Sequence, residues 1–183
     1  KATRHKRIAD LLEQFNLSDV KSKKIDKLSG GMKRRVGICQ AMLNNPDILI
    51  VDEPTAGLDI EERRNFRQYL TAISKDKIVI LSTHIVSDVE FIANYLILME
   101  DGAIIESGEC NTLINSIDGM IFETVVEDEE MKILEQKYCI VNFHNEGDGK
   151  VRIRYISKLP LKNSKLMKPD LNDYYLSKVR GAK

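Results

Sequence analysis

Two adjacent acidic residues, Asp52 and Glu53, directly follow a short apolar run at residues 48–51. Such a run is typical of a strand buried on both faces of a parallel sheet, where ligands bind beyond the carboxyl ends of the strands. At that edge we expect Asp52 to hold Mg²⁺, directly or through water, and Glu53 to orient and deprotonate an attacking water. The alternative is a strand that simply ends in a polar loop.

A serine and two glycines, Ser29, Gly30 and Gly31, begin a segment with helical periodicity. Glycines let backbone N–H groups approach an anion closely, and the N-terminus of a helix carries partial positive charge. Because the hydroxyl of Ser29 can donate one more hydrogen bond, these residues predict a phosphate-binding turn. An ordinary capped helix after a flexible connection is the alternative.

His84 follows a second apolar run at residues 78–81, so it is expected at the same sheet edge as the acidic pair. A histidine there can hydrogen-bond a terminal phosphate, although a lone histidine often has only a structural role. Asp59 lies shortly after the acidic pair. It is either the N-cap of a helix or part of a contact between subunits.

The order of these features is informative. The glycine turn is followed about 20 residues later by the acidic pair, and the histidine comes about 30 residues beyond that pair. A phosphate loop is missing, because none of the ten glycines in the sequence opens a Gly-x-x-x-x-Gly-Lys-Ser/Thr motif. The sequence therefore contains one half of a nucleotide-hydrolysing site.

Hydrophobic periodicity predicts the elements that position these residues. Helical stripes alternate with the two apolar strands, and they fall at residues 8–15, 32–43, 66–73 and 85–93. This alternation favours right-handed βαβ units and therefore a parallel sheet.

After residue 94 the pattern changes to a hairpin around Asp101-Gly102 and then to a mixture of strands and helices. We expect residues 1–117 to form one domain and residues 118–183 to form a small C-terminal α+β appendage. Within the first domain the expected parts are a helical region at about 1–45 and a catalytic core at about 46–117.

The composition is that of a soluble globular protein, with 43% hydrophobic and 31% charged residues. Its 28 basic and 28 acidic residues balance, which gives no global sign of nucleic-acid binding. Residues 1–35 hold 11 Lys/Arg against 4 Asp/Glu, so this end is a solvated face or a surface for anions or membranes. Three isolated cysteines favour a reducing cytosol over a disulfide framework or zinc site. No apolar run approaches the roughly 20 residues that span a bilayer.

Three segments carry a family resemblance. They read LSGGMKRR at residues 28–35, ILIVDEPTAGLD at 48–59 and ILSTHIVSD at 80–88. They resemble the signature motif, the Walker B motif with its D-loop, and the switch histidine of ATP-binding cassette (ABC) ATPases, the nucleotide-binding subunits of ABC transporters. The resemblance covers about residues 1–115 and is closest to bacterial export-type cassettes for drugs, peptides or antibiotics. Residues 169–175 are similar to the accessory C-terminal segment of that group.

The resemblance implies an α/β fold, part of an ABC-type P-loop NTPase with a parallel sheet and helices, and it implies ATP and Mg²⁺ as cofactors. Such cassettes pair head to tail and enclose two ATP molecules. Ser29, Gly30 and Gly31 would therefore contact the γ-phosphate of ATP held by the partner subunit.

By the same resemblance, Asp52, Glu53 and His84 would act on the nucleotide of their own subunit, and Asp59 would pass information across the pair. The implied partners are a second ATP-binding subunit, the same or different, and integral membrane permease subunits, with no nucleic acid. The implied location is the cytoplasmic face of the cell membrane, where hydrolysis powers export.

Two departures from the family pattern bear on activity. Met32 stands where many cassettes have Gln, and the phosphate loop with its strand is absent from the sequence. We therefore expect this chain to be the C-terminal part of a longer protein, inactive alone and prone to self-association through unpaired apolar edges.

A non-catalytic module that lends its signature motif to a complete partner is the main alternative. A DNA-repair or chromosome-structure ATPase would need long heptad coiled coils, which the sequence lacks. A translation-associated pair of cassettes would need a second cassette.

Overall fold

The computed structural model describes residues 2–180, which form two compact units that divide after Ile92. The mixture of helices with parallel and antiparallel strands confirms the predicted α/β class. The predicted boundary between residues 117 and 118 lies inside the second unit. Its meaning as the limit of an ATPase domain remains a prediction.

The first unit consists of alternating helices and strands. Its described elements are α1 (Ala2–Gln14), two short 3₁₀ turns (Ser18–Val20 and Ile25–Lys27), α2 (Gly30–Met42), β1 (Ile48–Asp52), α3 (Ile60–Ile73), β2 (Ile78–Ser82) and α4 (Val86–Ile92).

Strands β1 and β2 pair in parallel, in register from Ile48 opposite Ile78 to Asp52 opposite Ser82. Helix α3 connects them, so the predicted βαβ unit is confirmed. One face of this sheet packs on the hydrophobic core through Leu49, with α3 contributing buried side chains such as Phe66. The pairing places the ends of both strands at a single edge.

The opposite face of the β1–β2 sheet is exposed. The side chains on it are 51%, 72%, 60% and 50% exposed for Ile48, Ile50, Ile78 and Ile80 respectively. The prediction that both faces of these strands are buried is therefore wrong for the described chain. A continuous apolar run does not distinguish a covered face from an uncovered one.

Helices α1 and α2 complete the core of the first unit. Leu11 and Phe15 are buried as the helical stripe predicts, and α2 buries Cys39 as a small apolar side chain. Burial raises the pKa of the Cys39 thiol to about 11. The buried face of α2 also includes Met42, whereas the predicted Leu43 is 38% exposed because it lies at the C-cap, beyond the last helical turn.

The second unit is largely antiparallel. Its described elements are β3 (Tyr95–Glu100), β4 (Ala103–Glu109), α5 (Cys110–Asn115), β5 (Ile121–Glu127), α6 (Asp128–Lys137), β6 (Cys139–Gly147), β7 (Lys150–Ile156), β8 (Lys165–Leu166) and α7 (Leu171–Val179). None of the helices formed by residues 2–180 has the length and apolar character that a bilayer crossing requires.

The predicted hairpin is confirmed as β3 paired with β4, and the appendage is a four-stranded sheet in the order β6-β7-β5-β8. Sequence periodicity missed β8, which has only two residues. Arg154 of β7 binds the buried Asp173 of α7, and Asp173 also completes a capping box with Asp170. This buried ion pair fixes α7 against the sheet within the second unit.

The exposed isoleucines of β1 and β2 predict self-association of the chain, because a contiguous apolar patch on a soluble protein favours contact with another surface. The double variant Ile50→Thr/Ile80→Thr keeps β-branched side chains and should remain monomeric to higher concentration than the unaltered chain. Light scattering after size exclusion, over a range of concentrations, measures this. Ile133→Thr, at a 55% exposed helix position in the second unit, is the control. A monomeric unaltered chain at all concentrations would contradict the prediction.

Candidate functional site

The side chains of Glu53 and His84 are in direct contact. Because Asp52 pairs with Ser82, both strands end at the same edge, and the residues that follow them lie side by side. The backbone N–H of His84 donates to Glu53 Oε1 at 3.1 Å, and His84 Nδ1 lies 2.8 Å from the same oxygen. Thr83 Oγ1 donates to Glu53 Oε2 at 3.3 Å. The sequence prediction that the histidine lies beside the acidic pair is confirmed.

The backbone at Glu53 is unusual, with φ at +42° in the left-handed region. That conformation costs a residue other than glycine on the order of 1–3 kcal/mol, and it persists where neighbouring contacts hold it. One such contact is the Glu53 N–H, which donates to the carbonyl of Ser82 at 2.9 Å. The hydroxyl of Ser82 also donates to Asp52 Oδ1. The turn after β1 is thus tied to the end of β2.

The hydrogen bond from the His84 side chain lowers the pKa of Glu53 below its ordinary value. Glu53 is therefore an ionised acceptor at neutral pH, and Nδ1 of His84 carries the proton between them. A neutral His84 then has Nε2 available only as an acceptor. To donate from Nε2 to a phosphate while keeping its bond to Glu53, the ring must be positively charged.

Ser29 is the N-cap of α2, as predicted, because its Oγ accepts a hydrogen bond from the Met32 N–H at 3.2 Å. The same hydroxyl donates to Oε1 of Glu62 at 3.1 Å. A Cβ at Gly31 would lie only 2.4 Å from the Glu62 carboxyl group, whereas one at Gly30 would meet open space. An anionic oxygen of the same chain thus lies against the first turn of α2.

Sequence reasoning missed Glu62. It is the third residue of α3, whose N-cap is Asp59, and its N–H donates to Asp59 Oδ1 at 2.7 Å. The Asp-x-x-Glu spacing was a signal, but it suggests a local capping box rather than a contact with Ser29. The N-cap interpretation of Asp59 is confirmed, and its part in a subunit contact stays a prediction.

An arginine joins the loop that follows Glu53 to helix α2. Arg34 of α2 donates through Nη1 to the carbonyl of Pro54 at 3.4 Å and also to the carbonyl of Ala56. Both carbonyls belong to the loop between β1 and α3. The backbone of the segment after Glu53 is therefore held to the first turns of the helix that Ser29 caps.

Residues 2–180 contain no group of three or more His, Cys, Asp or Glu side chains arranged to hold a metal ion by themselves. Asp52 is an exposed carboxylate at the end of β1. Mg²⁺ commonly uses one or two protein carboxylates and completes its shell with phosphate oxygens and water. Asp52 therefore fits an ion that arrives with a nucleotide, and it does not form a binding site alone.

Similarity to known proteins covers the region of this site. Residues 2–56 match the family model described as ABC transporter. Over 125 residues the chain is 36% identical to Nod factor export ATP-binding protein I of Cupriavidus pinatubonensis, covering 68% of this chain and 38% of that protein. Over 111 residues it is 32% identical to ABC transporter ATP-binding protein NatA of Bacillus subtilis, covering 60% of this chain and 45% of that protein.

A solved ATP-binding cassette of an ABC transporter, in its ADP conformation, matches the fold with a TM-score of 0.58 and 25% identity. The match covers 64% of this chain and 46% of the cassette. The chain therefore spans less than half the length of these three proteins.

Acidification should break the contact between Glu53 and His84. Since the folded-state pKa of Glu53 is lowered, the contact is complete above the ordinary glutamate pKa and is lost as pH falls through the lowered value. NMR titration of the Glu53 carboxyl carbon should show a midpoint below the ordinary value, and His84→Ala should move that midpoint upward. His144→Ala, in the second unit, should leave it in place. A midpoint that is identical in His84→Ala and the unaltered chain would argue against the contact.

Replacing Glu62 by Gln should strengthen anion binding at the N-terminus of α2, because it removes a negative charge from the Ser29 hydroxyl and keeps the size of the side chain. A charge at a helix end contributes about 0.3–1 kcal/mol, so inorganic phosphate should bind roughly two- to fivefold more tightly. Shifts of the Gly30 and Gly31 amide resonances report the binding. Glu61→Gln, one residue earlier on α3, is the matched control. Equal effects of both variants would count against a specific role for Glu62.

Proposed function

We propose that this chain is part of an ATP-binding cassette of the ABC transporter family and belongs to the ATP-hydrolysing subunit of a bacterial exporter. The observation that carries the proposal is the 2.8 Å contact between Glu53 and His84 at the end of two parallel strands. It places an ionised base and a histidine together where a nucleotide phosphate is expected. Asp52 is the last residue of β1 and directly precedes Glu53.

In this proposal Glu53 orients a water molecule and accepts its proton as the water oxygen attacks the γ-phosphorus. The bond to the β–γ bridging oxygen breaks, and ADP and phosphate form. The lowered pKa of Glu53 keeps its carboxylate ionised, so that it can both orient the water and accept its proton. His84 would donate from Nε2 to the γ-phosphate oxygens, and Asp52 would hold Mg²⁺, which would supply positive charge beside the phosphates.

Ser29, Gly30 and Gly31 act in this proposal on a nucleotide held by a second ATP-binding subunit. Support comes from the α2 turn itself, whose serine hydroxyl already donates to an anionic oxygen of Glu62. A γ-phosphate would take the position of that carboxylate, and Glu62 would have to move away. Asp59, one turn earlier, would then face the subunit boundary.

The proposed complex includes the second ATP-binding subunit, identical or different, and membrane permease subunits that carry the cargo. Its location would be the cytoplasmic face of the membrane. Residues 118–183 would form an accessory C-terminal element. Because the sequence contains no phosphate loop, we expect the 183-residue chain alone not to hydrolyse ATP.

The same missing motif favours one other function. The chain could donate its Ser29 turn to a complete ATPase without using Glu53 at all. Dimers of this chain with a complete ATPase subunit distinguish the two functions. In such a dimer, Ser29→Ala would stop hydrolysis by the partner whether or not this chain is catalytic. Glu53→Gln would lower the hydrolysis at the second site only if this chain is catalytic.

In a cassette that contains this sequence together with a phosphate loop, Glu53→Gln should lower ATP turnover by about 100-fold or more and leave ATP binding nearly unchanged. The variant keeps the shape of the side chain but removes its ability to accept a proton. Phosphate release measures turnover, and a fluorescent ATP analogue measures binding. Glu90→Gln, an exposed carboxylate of α4, is the control.

His84→Ala should also slow hydrolysis sharply in the same assay, because the γ-phosphate loses a donor and Glu53 loses its partner. If Glu53→Gln turns over ATP at the normal rate, Glu53 is not the base. An intact rate in His84→Ala would return His84 to a structural role.

A further inference from the structure

A buried carboxylate lies behind the candidate site. Asp88 of α4 is only 1% exposed, and it follows His84 by four residues. A buried charge is costly unless it is paired and hydrogen-bonded, so its partners decide why it is tolerated. Both of its carboxyl oxygens accept hydrogen bonds, one from helix α3 and the other from the loop after β1.

One oxygen binds α3. Arg67 Nε donates to Asp88 Oδ1 at 2.8 Å, and Arg67 Nη2 donates to the same oxygen. The guanidinium group also lies over the ring of Phe91, 4.9 Å from its centre. Phe91 belongs to α4, one turn beyond Asp88. Arg67 therefore neutralises Asp88 and is itself held in place by the helix that carries Asp88.

The other oxygen binds the loop after the acidic pair. Asp88 Oδ2 accepts a hydrogen bond from the hydroxyl of Thr55, which is also 1% exposed. An ionised carboxylate can only accept, so the hydroxyl proton of Thr55 has a single defined direction. This bond fixes the position of a residue only two places beyond Glu53.

The loop after β1 and the segment that begins at His84 are thus joined by two contacts. At the exposed edge Glu53 contacts His84, and in the interior Thr55 contacts Asp88. The interior bond is protected from water, whereas the His84 side chain is 75% exposed. A strained backbone such as that of Glu53, with φ at +42°, needs contacts of this kind to persist.

We propose that Asp88 is a positioning residue for ATP hydrolysis, which sets the distance between Glu53 and His84 through Thr55 and is held in the interior by its ion pair with Arg67. The inference rests on the proposed function, since it assumes that Glu53 and His84 act together on a phosphate. It adds a residue that is buried behind the site and acts through Thr55. Its effect on the reaction passes through the loop after β1 and the start of α4.

Thr55 offers a better test than Asp88, whose replacement would leave Arg67 buried without its partner. Thr55→Val keeps the shape of the side chain and removes the hydroxyl, while Thr55→Ser keeps the hydroxyl. Leu70→Val, a fully buried core position of α3, provides a control for general loss of stability. All three variants are compared in a cassette that contains this sequence and a phosphate loop, and in the 183-residue chain.

In the cassette, Thr55→Val should lower kcat about tenfold with little change in KM for ATP, because the reacting groups are misplaced and the nucleotide contacts are not. Thr55→Ser should restore kcat to within about twofold of the unaltered cassette, and Leu70→Val should leave kcat unchanged.

In the chain without nucleotide, the His84 amide should shift and exchange with solvent faster in Thr55→Val alone, because its bond to Glu53 has loosened. If the chemical shift and exchange rate of the His84 amide are unchanged in folded Thr55→Val, the positioning role of Asp88 is wrong. This result does not depend on whether the proposed function is correct. Equal effects of Thr55→Val and Leu70→Val on kcat would overturn the positioning role too. A shifted amide with normal turnover in Glu53→Gln would instead reject the proposed function.

Discussion

The in-register parallel pairing of β1 with β2 is the constraint on which the site depends. It places Asp52 opposite Ser82, so the chain leaves both strands at the same level and Glu53 meets His84. A slip of one residue would turn Leu49 away from the core and carry Asp52 toward it. Burial of one sheet face therefore also fixes the geometry of the chemistry.

Three carboxylates in the region of the site differ in the donor that each one meets. Glu53 meets His84 at an exposed edge, where its charge stays available to a substrate. Asp88 meets Arg67 and Thr55 in the interior, where its charge is fully used by the protein. Glu62 meets Ser29 at a helix N-terminus, where a stronger anion could displace it. The three environments would suit three proposed roles: reaction for Glu53, positioning for Asp88 and exchange with a ligand for Glu62.

The sequence predicted best those features that depend on residues close together along the chain. Ser29 was predicted as an N-cap and Asp59 as either an N-cap or part of a subunit contact, and both cap helices in the structure. The order strand, helix, strand was enough to predict that His84 lies beside the acidic pair. Ile50 was predicted to be buried but is exposed, because periodicity shows which residues share a face and does not show what covers it. Leu43 was placed on the apolar stripe of α2 but lies at its C-cap.

The sequence by itself determined the elements, their order and the sheet edge at which Asp52, Glu53 and His84 meet, because these depend on periodicity and on the handedness of βαβ units. Only the tertiary structure decided that Glu62 lies on Ser29 and that Arg67, Asp88 and Thr55 form a buried bridge. The residues in each of these contacts are 21 to 33 positions apart along the chain. No local pattern encodes such contacts, because they arise from the packing of α3 against α4 and from the turn after β1.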